Sequence, residues 1–567
     1  MYVDVVPNRG SKPAILLREA WRENGKIKKR TLANLSDWPR EKVEALRRVL
    51  RGQGEDRAQA VKPELAIERS LPHGAVAAVL GTIKKLGLDE VIAAKRGRER
   101  DLVVGMIAER LLHPGSKLAT TRGWKSSTLA EELGVEAADA DDLYAAMDWL
   151  LRRQDRIERK LAGRHLGEGQ LVLYDATSSY YEGRTCPLAQ WGHNRDGKRG
   201  KKIIVYGVLT DGEGRPVAVE VYGGSTGDPT TVPDQVEKLR GRFGLEKVVL
   251  VGDRGMLAET RLEALRSHPG LGWITALRSG AIRELVAGGA LQLSLFDERN
   301  LMEITHPDYP GERLIVCLNP LLKAERARKR EELLAATEKE LGKIAARVSR
   351  RKRKVMGKAE IGLRVGKVLG RWKVGKHFRL TLEDGRFEFE RDAAAIAAEA
   401  ALDGFYVLRT SEPGSKLPAA EVVRSYKRLS AVERLFRTLK GLELKVRPIF
   451  HRDADRVRAH IFICLLAYYV EWHMRRSLAP LLFDDEFPDR ERDPVAPAQI
   501  SNHAKSKKRR RQTADGLPLH SFDSLLPELA TLTRNTCRWS DSPPFTQLTT
   551  PTPLQAKAFE LLGVRCQ

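Results

Sequence analysis

The spacing of apolar positions changes along the chain and separates a helical region from a region of strands. Between about residues 65 and 165, apolar residues recur every three to four positions, as in AVAAVLGTIKKLGL, which predicts helices. Short apolar runs typical of buried strands follow, in GQLVLYD (169–175), KKIIVYGVL (201–209) and EKVVLVGD (246–253). The resulting order of strands and helices predicts a mixed α/β core with flanking helices.

The segments on either side of this core have their own patterns. The first 60 residues are strand-like, with a turn signal at Asn24-Gly25, and LMEITHP and ERLIVCLNP predict paired strands after residue 280. A charged helix and a hairpin turning at Asp384-Gly385 follow. We therefore expect a β-rich N-terminal segment (1–60), a mainly helical DNA-binding domain (61–165), a core in two parts (166–279 and 405–480), a β-rich insertion domain (280–404) and a basic, partly flexible tail (481–567) that contains KSKKRRR.

The stretch YKRLSAVERLFRTLK (426–440) places Tyr426, Glu433 and Lys440 seven residues apart. A helix turns by about 100° per residue, so the three polar groups would share one face. An adjacent apolar stripe, predicted to face a core, contains Leu429, Val432, Phe436 and Leu439. The alternative is a helix that begins at Ser430, where Ser430 and Glu433 would form a capping box and Tyr426 would lie outside the helix.

Composition narrows the class of partner. The chain has 99 lysine and arginine residues against 75 aspartate and glutamate residues, a net charge of +24, which favours a polyanion such as nucleic acid over a merely soluble basic protein. The five cysteines form no C-x-x-C pair, and the N-terminus has no apolar signal region, which fits a reducing cytoplasm. The run IFICLLAYYV (461–470) has half of the ~20 residues needed to span a bilayer, so we interpret it as a buried helix and expect no membrane association.

Three carboxylates are candidates for chemistry. Asp175 and Asp253 each end an apolar strand, and ligands gather near strand ends in such sheets. With Glu433 they would repel one another unless cations were bound, and hard oxygen ligands favour Mg²⁺ or Mn²⁺. Two such ions ~4 Å apart can promote phosphodiester cleavage. The alternative reading makes Asp175 and Asp253 turn residues, with Asp253 paired to Arg254.

The motifs LVLYDATS, VVLVGDRG and YKRLSAVERLFRTLK together resemble the three acidic motifs of bacterial insertion-sequence DDE transposases. More narrowly, they resemble the branch with an RNase H-like core, a β-rich insertion and a Tyr–Arg–Glu–Lys signature. The resemblance covers residues 165–475, and RENGKIKKRTLANLSDWP near the N-terminus is also similar to this branch.

The resemblance implies roles for individual residues. Asp175, Asp253 and Glu433 would be the catalytic, metal-binding triad for two Mg²⁺ or Mn²⁺ ions, and Tyr426 and Lys440 would contact phosphate near the cut. The signature arginine has no match, because Leu429 stands three residues after Tyr426. Arginines nearby that would substitute for it are Arg428, Arg434 and Arg437.

Further DNA contacts are expected in two places. The loop WGHNRDGKRGKK (191–202) carries five basic residues, and we expect Arg195, Lys198 and Arg199 to contact the DNA backbone, the alternative being a solvated loop. Trp372 lies in the insertion, where some members of this branch stack a tryptophan on a flipped base. Its alternative role is core packing. The basic stretch 343–354 would track phosphates or form a solvated helix face.

The function implied by the resemblance is a transposase that cuts double-stranded DNA at the terminal inverted repeats of its own mobile element. It would join the resulting 3′-OH ends to target DNA, and synapsis of two ends implies a homodimer. Two alternatives remain at this point: a metal-dependent nuclease that never joins strands, and a DNA-binding protein without catalysis. A nuclease would leave no joined product in a strand-transfer assay, and magnesium-dependent cleavage would exclude a DNA-binding protein without catalysis.

Overall fold

The computed structural model describes residues 1–8, 10–23, 25–51, 65–289, 300–350, 355–487, 493–496, 499–539 and 542–566. The chain divides into two compact units. The smaller unit combines Met1–Leu71 with Arg534–Thr549, and the larger unit combines Pro72–Thr533 with Thr550–Gln567. The smaller unit therefore combines the N-terminal end of the sequence with a segment near the C-terminus.

Among the described residues, the smaller unit contains two three-stranded sheets and one helix. The N-terminal strands β1 (Tyr2–Asn8), β2 (Ser11–Glu23) and β3 (Lys26–Asn34) form one sheet, and helix α1 (Arg40–Leu50) covers it. Val43 of α1 packs with Val3 and Leu35 in a small core. The second sheet has the order β16-β15-β4, from β4 (Leu65–Pro72), β15 (Thr533–Trp539) and β16 (Phe545–Leu548). The turn signal at Asn24-Gly25 lies partly outside the described residues, since only Gly25 is placed, with φ +74°.

The larger unit begins with the predicted helices. They are α2 (Gly74–Lys85), α3 (Leu88–Ile92), α4 (Arg98–Leu112), α5 (Lys117–Gly123), α6 (Leu129–Leu133), α7 (Ala140–Leu151) and α8 (Gln154–His165). Helices α4 and α7 pack against α17 (Ala454–Leu478), and all ten residues of 461–470 in α17 are buried, as the sequence predicts. These helices lie in the same compact unit as the central sheet, and the boundaries expected for a helical domain (61–165) stay a prediction.

A mixed sheet of eight strands forms the centre of the larger unit, in the order β10-β11-β14-β9-β8-β5-β6-β7. Its strands are β5 (Gln170–Tyr180), β6 (Ile203–Asp211), β7 (Pro216–Gly223), β8 (Val248–Val251), β9 (Leu271–Ala276), β10 (Leu301–Ile304), β11 (Arg313–Leu318) and β14 (Phe405–Thr410). Strands β5, β8 and β9 run parallel, and the other pairings are antiparallel. The helices between and after these strands are α9 (Val232–Glu237), α10 (Glu259–Arg266), α11 (Ser279–Ala287), α15 (Ala419–Lys427) and α16 (Leu429–Lys440). The predicted mixed α/β architecture with a large mixed sheet is confirmed.

The expected β-rich insertion is corrected by the sheet order. Strands β10 and β11 pair as predicted, but they extend the central sheet, because β11 is buried and pairs with β14 along its whole length. Between β11 and β14 the chain is mainly helical. It forms α12 (Pro320–Val348), α13 (Lys358–Trp372), the hairpin β12 (Phe378–Glu383) and β13 (Arg386–Arg391), and α14 (Ala393–Ala400), with an apolar core of their own. The basic stretch 343–354 begins on α12, and its residues 351–354 lie outside the described part.

The C-terminal region is folded in its described parts, contrary to the expectation of a partly flexible tail. KSKKRRR lies mostly on α18 (Asn502–Arg510), followed by α19 (Phe522–Ala530) and α20 (Pro553–Leu562). These helices bury apolar residues such as Leu525 and Phe559, and α20 packs against α17 and α2. Burial of these side chains outweighs the high charge and proline content that suggested flexibility. Among the described residues, no helix is long and apolar enough to cross a membrane.

Candidate active site

Asp175 and Asp253 lie at the same level of two neighbouring parallel strands. Leu173 of β5 pairs with Val251 of β8, and each aspartate stands two residues beyond its member of that pair. Strand β8 ends at Val251, so Asp253 lies just past its carboxyl end, whereas β5 continues through Asp175. The sequence prediction that the two carboxylates converge at one sheet edge agrees with this register.

The two carboxylates repel each other electrostatically. Burial raises the pKa of Asp175 to about 7, and the charge of Asp253 is the next largest cause. Arg195 acts in the opposite direction, and Asp228 adds to the raised value. This part of the sheet edge therefore carries negative charge that the protein only partly compensates.

Asp253 also forms a turn, as its alternative reading proposed. Its Oδ1 accepts hydrogen bonds from the backbone N–H groups of Gly255, at 3.0 Å, and Met256, at 2.7 Å. Both bonds use the same oxygen, so the turn leaves Oδ2 available to a ligand. Asp175 likewise accepts one bond at Oδ1, from the N–H of Ala176 at 2.7 Å. The turn role and a ligand role are compatible at both residues.

The third carboxylate, Glu433, lies on α16, and its capping-box alternative is excluded. Helix α15 ends at Lys427 and α16 begins at Leu429, with Arg428 between them in a helical conformation (φ −64°, ψ −18°). Arg428, not Ser430, is therefore the residue that precedes α16, and it makes no side-chain cap. Glu433 is exposed and makes no hydrogen bond or ion pair with the described residues.

Tyr426 connects the three carboxylates. It lies in the last turn of α15, so it shares a nearly continuous helical path with Glu433. The pKa of its phenol is raised to about 12, mainly by burial and then by the charges of Asp253, Asp175 and Glu433, while Arg254 acts in the opposite direction. A phenol that senses all three charges places Tyr426 within electrostatic reach of the predicted triad.

The apolar stripe beside these residues is buried as predicted. Leu429, Val432, Phe436 and Leu439 are between 0 and 9 % exposed, and α16 packs against β5. The ring of Phe436 meets that of Tyr206 on β6 edge-on, at 6.0 Å between centroids. This packing holds the helix, and with it Glu433, over the strand that carries Asp175.

Lys440, the last residue of α16, is held by acceptors of the protein. Its Nζ donates to Thr177 Oγ1 at 2.7 Å, to the Ser178 carbonyl at 2.6 Å and to Asp196 Oδ1 at 3.1 Å. Asp196 also pairs with Arg447 at 2.6 Å and is only 2 % exposed. We call Asp196, Lys440 and Arg447 the Asp196 cluster. It ties the end of α16 to β5 and to residues 191–202, which we call the basic loop. The phosphate contact expected for Lys440 stays a prediction.

The basic loop approaches the acidic centre, the name used here for Asp175, Asp253 and Glu433, through Arg195. Its guanidinium donates to the carbonyl of Ala176, the neighbour of Asp175, and pairs with Asp228. Asp228 lies in the turn GDPTT, and since no buried strand precedes it directly, no strand pattern in the sequence marks it. Lys198 lies 5.3 Å from the ring centroid of Tyr180, and Arg199 is exposed.

The remaining predicted contacts lie elsewhere. The Arg428 side chain lies against the β6–β7 hairpin. Its Nη1 atom is 3.2 Å from the position that a Cβ atom would occupy if Gly212 carried one. Arg437 is exposed on α16. Trp372 is half-buried against the core of the helical insertion, with Arg371 4.8 Å from its ring centroid, so core packing is at least part of its role.

The three carboxylates are donors of the chemical type that a hard divalent cation prefers, although the structure does not gather them into one group. Asp175, Asp253 and Glu433 offer carboxylate oxygens. Burial and then the charge of Asp253 raise the pKa of Asp175, and a bound cation would oppose both effects. Within the described residues, no three His, Cys, Asp or Glu side chains form a group ready to hold a metal ion.

Comparison with known proteins gives the family. A family model described as the transposase DDE domain matches residues 167–470, and one described as the IS1634 family transposase N-terminal domain matches residues 3–64. No curated protein matches the chain.

Two solved structures are similar at low sequence identity. A cryo-EM structure of the piggyBac transposase synaptic complex with hairpin DNA is 12 % identical and covers 80 % of this chain and 76 % of its own, with a TM-score of 0.35. The Mos1 transposase paired-end complex with left transposon end is 12 % identical and covers 34 % of this chain and 62 % of its own, with a TM-score of 0.14. These scores are too low to support an argument, so the assignment rests on the family models. Since the DDE domain spans more than half of the sequence, the chain belongs to the insertion-sequence DDE transposases.

Proposed function

We propose that this transposase cuts DNA at the ends of its own mobile element and joins the 3′-OH ends to target DNA. The observation that carries the proposal is the pair of repelling carboxylates, Asp175 and Asp253, on adjacent parallel strands beneath the helix of Glu433. The mixed sheet with its flanking helices supports the RNase H-like fold that the resemblance of the sequence motifs implies.

DDE transposases generally use divalent metal ions. Here Asp175, Asp253 and Glu433 would hold Mg²⁺ or Mn²⁺, two ions being expected, which would polarise the scissile phosphate and favour deprotonation of the attacking oxygen. Asp175 is ready to lose its proton near neutral pH, and Arg195 limits the repulsion between the carboxylates. Tyr426 stays protonated at neutral pH and can donate a hydrogen bond to a phosphate oxygen.

The chemistry proceeds in two steps at one site. In the first, water attacks a phosphorus at the element end, the P–O3′ bond breaks, and a 3′-OH and a 5′-phosphate result. In the second, that 3′-OH attacks a phosphorus of target DNA, a new P–O bond forms, and a target 3′-oxygen leaves with a proton. The number of phosphodiester bonds is unchanged in the second step, so no external energy source is needed.

Double-stranded DNA is the proposed partner, both as inverted repeat and as target. The net charge of +24 favours binding to phosphates, and the exposed Lys198 and Arg199 extend the basic loop beyond Arg195. Trp372, Arg428 and Arg437 are proposed as further contacts. Synapsis of two ends would require a homodimer.

A strand-transfer assay tests the proposal. Purified protein, a duplex ending in the inverted repeat that flanks the coding region, and a supercoiled plasmid are incubated with Mg²⁺ or with EDTA. We expect 3′-OH cleavage at the repeat and joined plasmid product with Mg²⁺ alone. Affinity for the duplex should fall linearly with salt on a log–log scale, with a slope of about −0.9 per phosphate contact.

Two outcomes would contradict the proposal. Cleavage without any joined product would show a nuclease, and salt-independent binding would remove the argument from charge. Asp234→Asn provides a matched control for carboxylate variants, since Asp234 is exposed on α9 and lies outside the acidic centre.

A further inference from the structure

A second basic site lies apart from the three carboxylates, in a cavity of about 560 Å³. Its wall combines residues from α4, α5, α7 and the chain leading into α17. Its charged and aromatic residues include Arg110, Lys117, Tyr144, Arg447, His451 and His460. The volume falls within the ~300–1,000 Å³ usual for small-molecule sites.

Among the described residues, Arg110 is fixed in this wall by neutral acceptors only. It is 6 % exposed and donates to the carbonyl of Leu444 at 3.4 Å and to His460 Nδ1 at 3.3 Å. His460 Nε2 lies 2.9 Å from the carbonyl of Val446, so Nε2 carries the proton and Nδ1 accepts from Arg110. The guanidinium is held in position while its charge is left uncompensated.

Lys117 next to it has no partner among the described residues. It is 4 % exposed and forms no hydrogen bond or ion pair there. Burial, and then the charge of Arg110, lower the pKa of Lys117 to about 7. Lys238, which is also buried, shows the contrast: Glu158 and Glu220 lie 3.1 and 3.0 Å from its Nζ, and the pKa of Lys238 is raised.

In the described part of the chain, no carboxylate pairs with Arg110 or Lys117. Burial and the nearby cations lower the pKa of His451 to about 3 and that of His460 well below its usual value, so both rings are neutral. Asp453, an acidic residue of the same wall, is the N-cap of α17 and accepts from the N–H of Asp455 at 2.9 Å, and it forms no ion pair with Arg110 or Lys117. Two buried cations without a counterion are costly to the free protein, and an anion would relieve that cost.

We propose that this cavity binds a phosphate group of the DNA backbone, with Lys117 and Arg110 as its donors. The inference rests on the proposed function for the identity of the anion. Arg447 supports it, because it lines the cavity and also pairs with Asp196, which holds Lys440 at the end of the catalytic helix. A DNA strand held here would be fixed relative to the acidic centre. Tyr144 and the exposed Phe450 offer apolar surface to the attached sugar.

The test is Lys117→Met, which removes the charge and keeps the aliphatic packing, beside Lys247→Met, which makes the same charge change on an exposed lysine before β8. Affinity for the end duplex is measured by fluorescence anisotropy, and melting temperatures are measured in phosphate and in chloride at matched ionic strength. We expect Lys117→Met to weaken DNA binding by about 10- to 100-fold relative to Lys247→Met. We also expect it to raise the melting temperature of the free protein.

The remaining outcomes separate the possible failures. If wild-type protein does not bind the duplex at all, the proposed function fails. If Lys117→Met and Lys247→Met bind DNA equally, the cavity does not hold a DNA phosphate. A phosphate-specific rise in melting temperature that only Lys117→Met abolishes would then assign the cavity to free phosphate instead. A lowered melting temperature in Lys117→Met would show a structural lysine and overturn the inference.

Discussion

Two groups of charged residues flank strand β5 and are built in opposite ways. In the Asp196 cluster, a carboxylate that is 2 % exposed faces two cations and one backbone N–H, so its charge is fully compensated. In the acidic centre, burial and then the charge of Asp253 raise the pKa of Asp175 to about 7. The first arrangement stabilises the fold, and the second is costly to the protein without a ligand. We therefore interpret uncompensated charge as the sign of a ligand site. Variants in the Asp196 cluster and in the acidic centre test this interpretation.

The largest effect is expected in the acidic centre. Asp175→Asn, Asp253→Asn and Glu433→Gln should each slow single-turnover cleavage by at least about 100-fold, because cation binding requires the carboxylate charge. For Asp175→Asn the melting temperature should not fall, since the substitution removes repulsion. Cleavage of a labelled end duplex and a melting curve give both values, with Asp234→Asn as control. Normal cutting by any of the three variants would remove that residue from the triad.

Substitutions in the Asp196 cluster should change the stability of the fold. Asp196→Asn leaves Lys440 and Arg447 without their shared counterion and should lower the free energy of unfolding by about 2–3 kcal/mol. Urea denaturation measures the change. Combining Asp196→Asn with Lys440→Met should recover part of the loss, because one unpaired cation is then absent. Strict additivity of the two substitutions would show that the pair does not interact energetically.

A substitution of Lys440 alone tests whether this residue only anchors α16 or also takes part in cleavage. Lys440→Met should lower the free energy of unfolding by about 1–2 kcal/mol, since three hydrogen bonds to β5 and the basic loop are lost. Cleavage by the folded variant, measured well below its melting temperature, then decides its second role. A tenfold or larger loss would add the phosphate contact implied by the sequence motif, and unchanged cleavage would leave Lys440 as an anchor of α16 alone.

The smallest effect is expected at Tyr426. Tyr426→Phe removes only the hydroxyl, so cleavage should slow by less than about tenfold, the size of one modest hydrogen bond. The pKa of this phenol is raised to about 12, so it is protonated throughout the working range. The pH profile of cleavage between pH 6 and 9 should therefore keep its shape. A changed profile would show that the hydroxyl exchanges a proton during the reaction.

Local pattern was enough to predict the elements that carry the site. Apolar runs ending in Asp175 and Asp253 predict two buried strands, and the seven-residue spacing of Tyr426, Glu433 and Lys440 predicts a common helical face. Both follow from periodicity, which depends only on neighbouring residues. The same reasoning predicted α17 as a buried helix, because a run of ten apolar residues exceeds what a surface helix presents.

Local pattern failed where long-range pairing decides the architecture. Strands β10 and β11 are visible in the sequence, but their place in the central sheet depends on β14, about 90 residues further along the chain. The segment taken for a β-rich insertion is therefore mainly helical once those strands are assigned to the sheet. The tail is folded for a similar reason, since α20 packs on helices distant in sequence.

The sequence by itself determined the chemical identities of the site and the strands and helices that carry them. Only the tertiary structure decided which charges are compensated. Asp196 meets Lys440 across 244 residues of sequence, Arg195 is paired with Asp228, and Lys117 has no carboxylate partner among the described residues. The reason is physical: Coulomb interactions and burial depend on distance through space, and the positions of residues along the chain do not fix that distance.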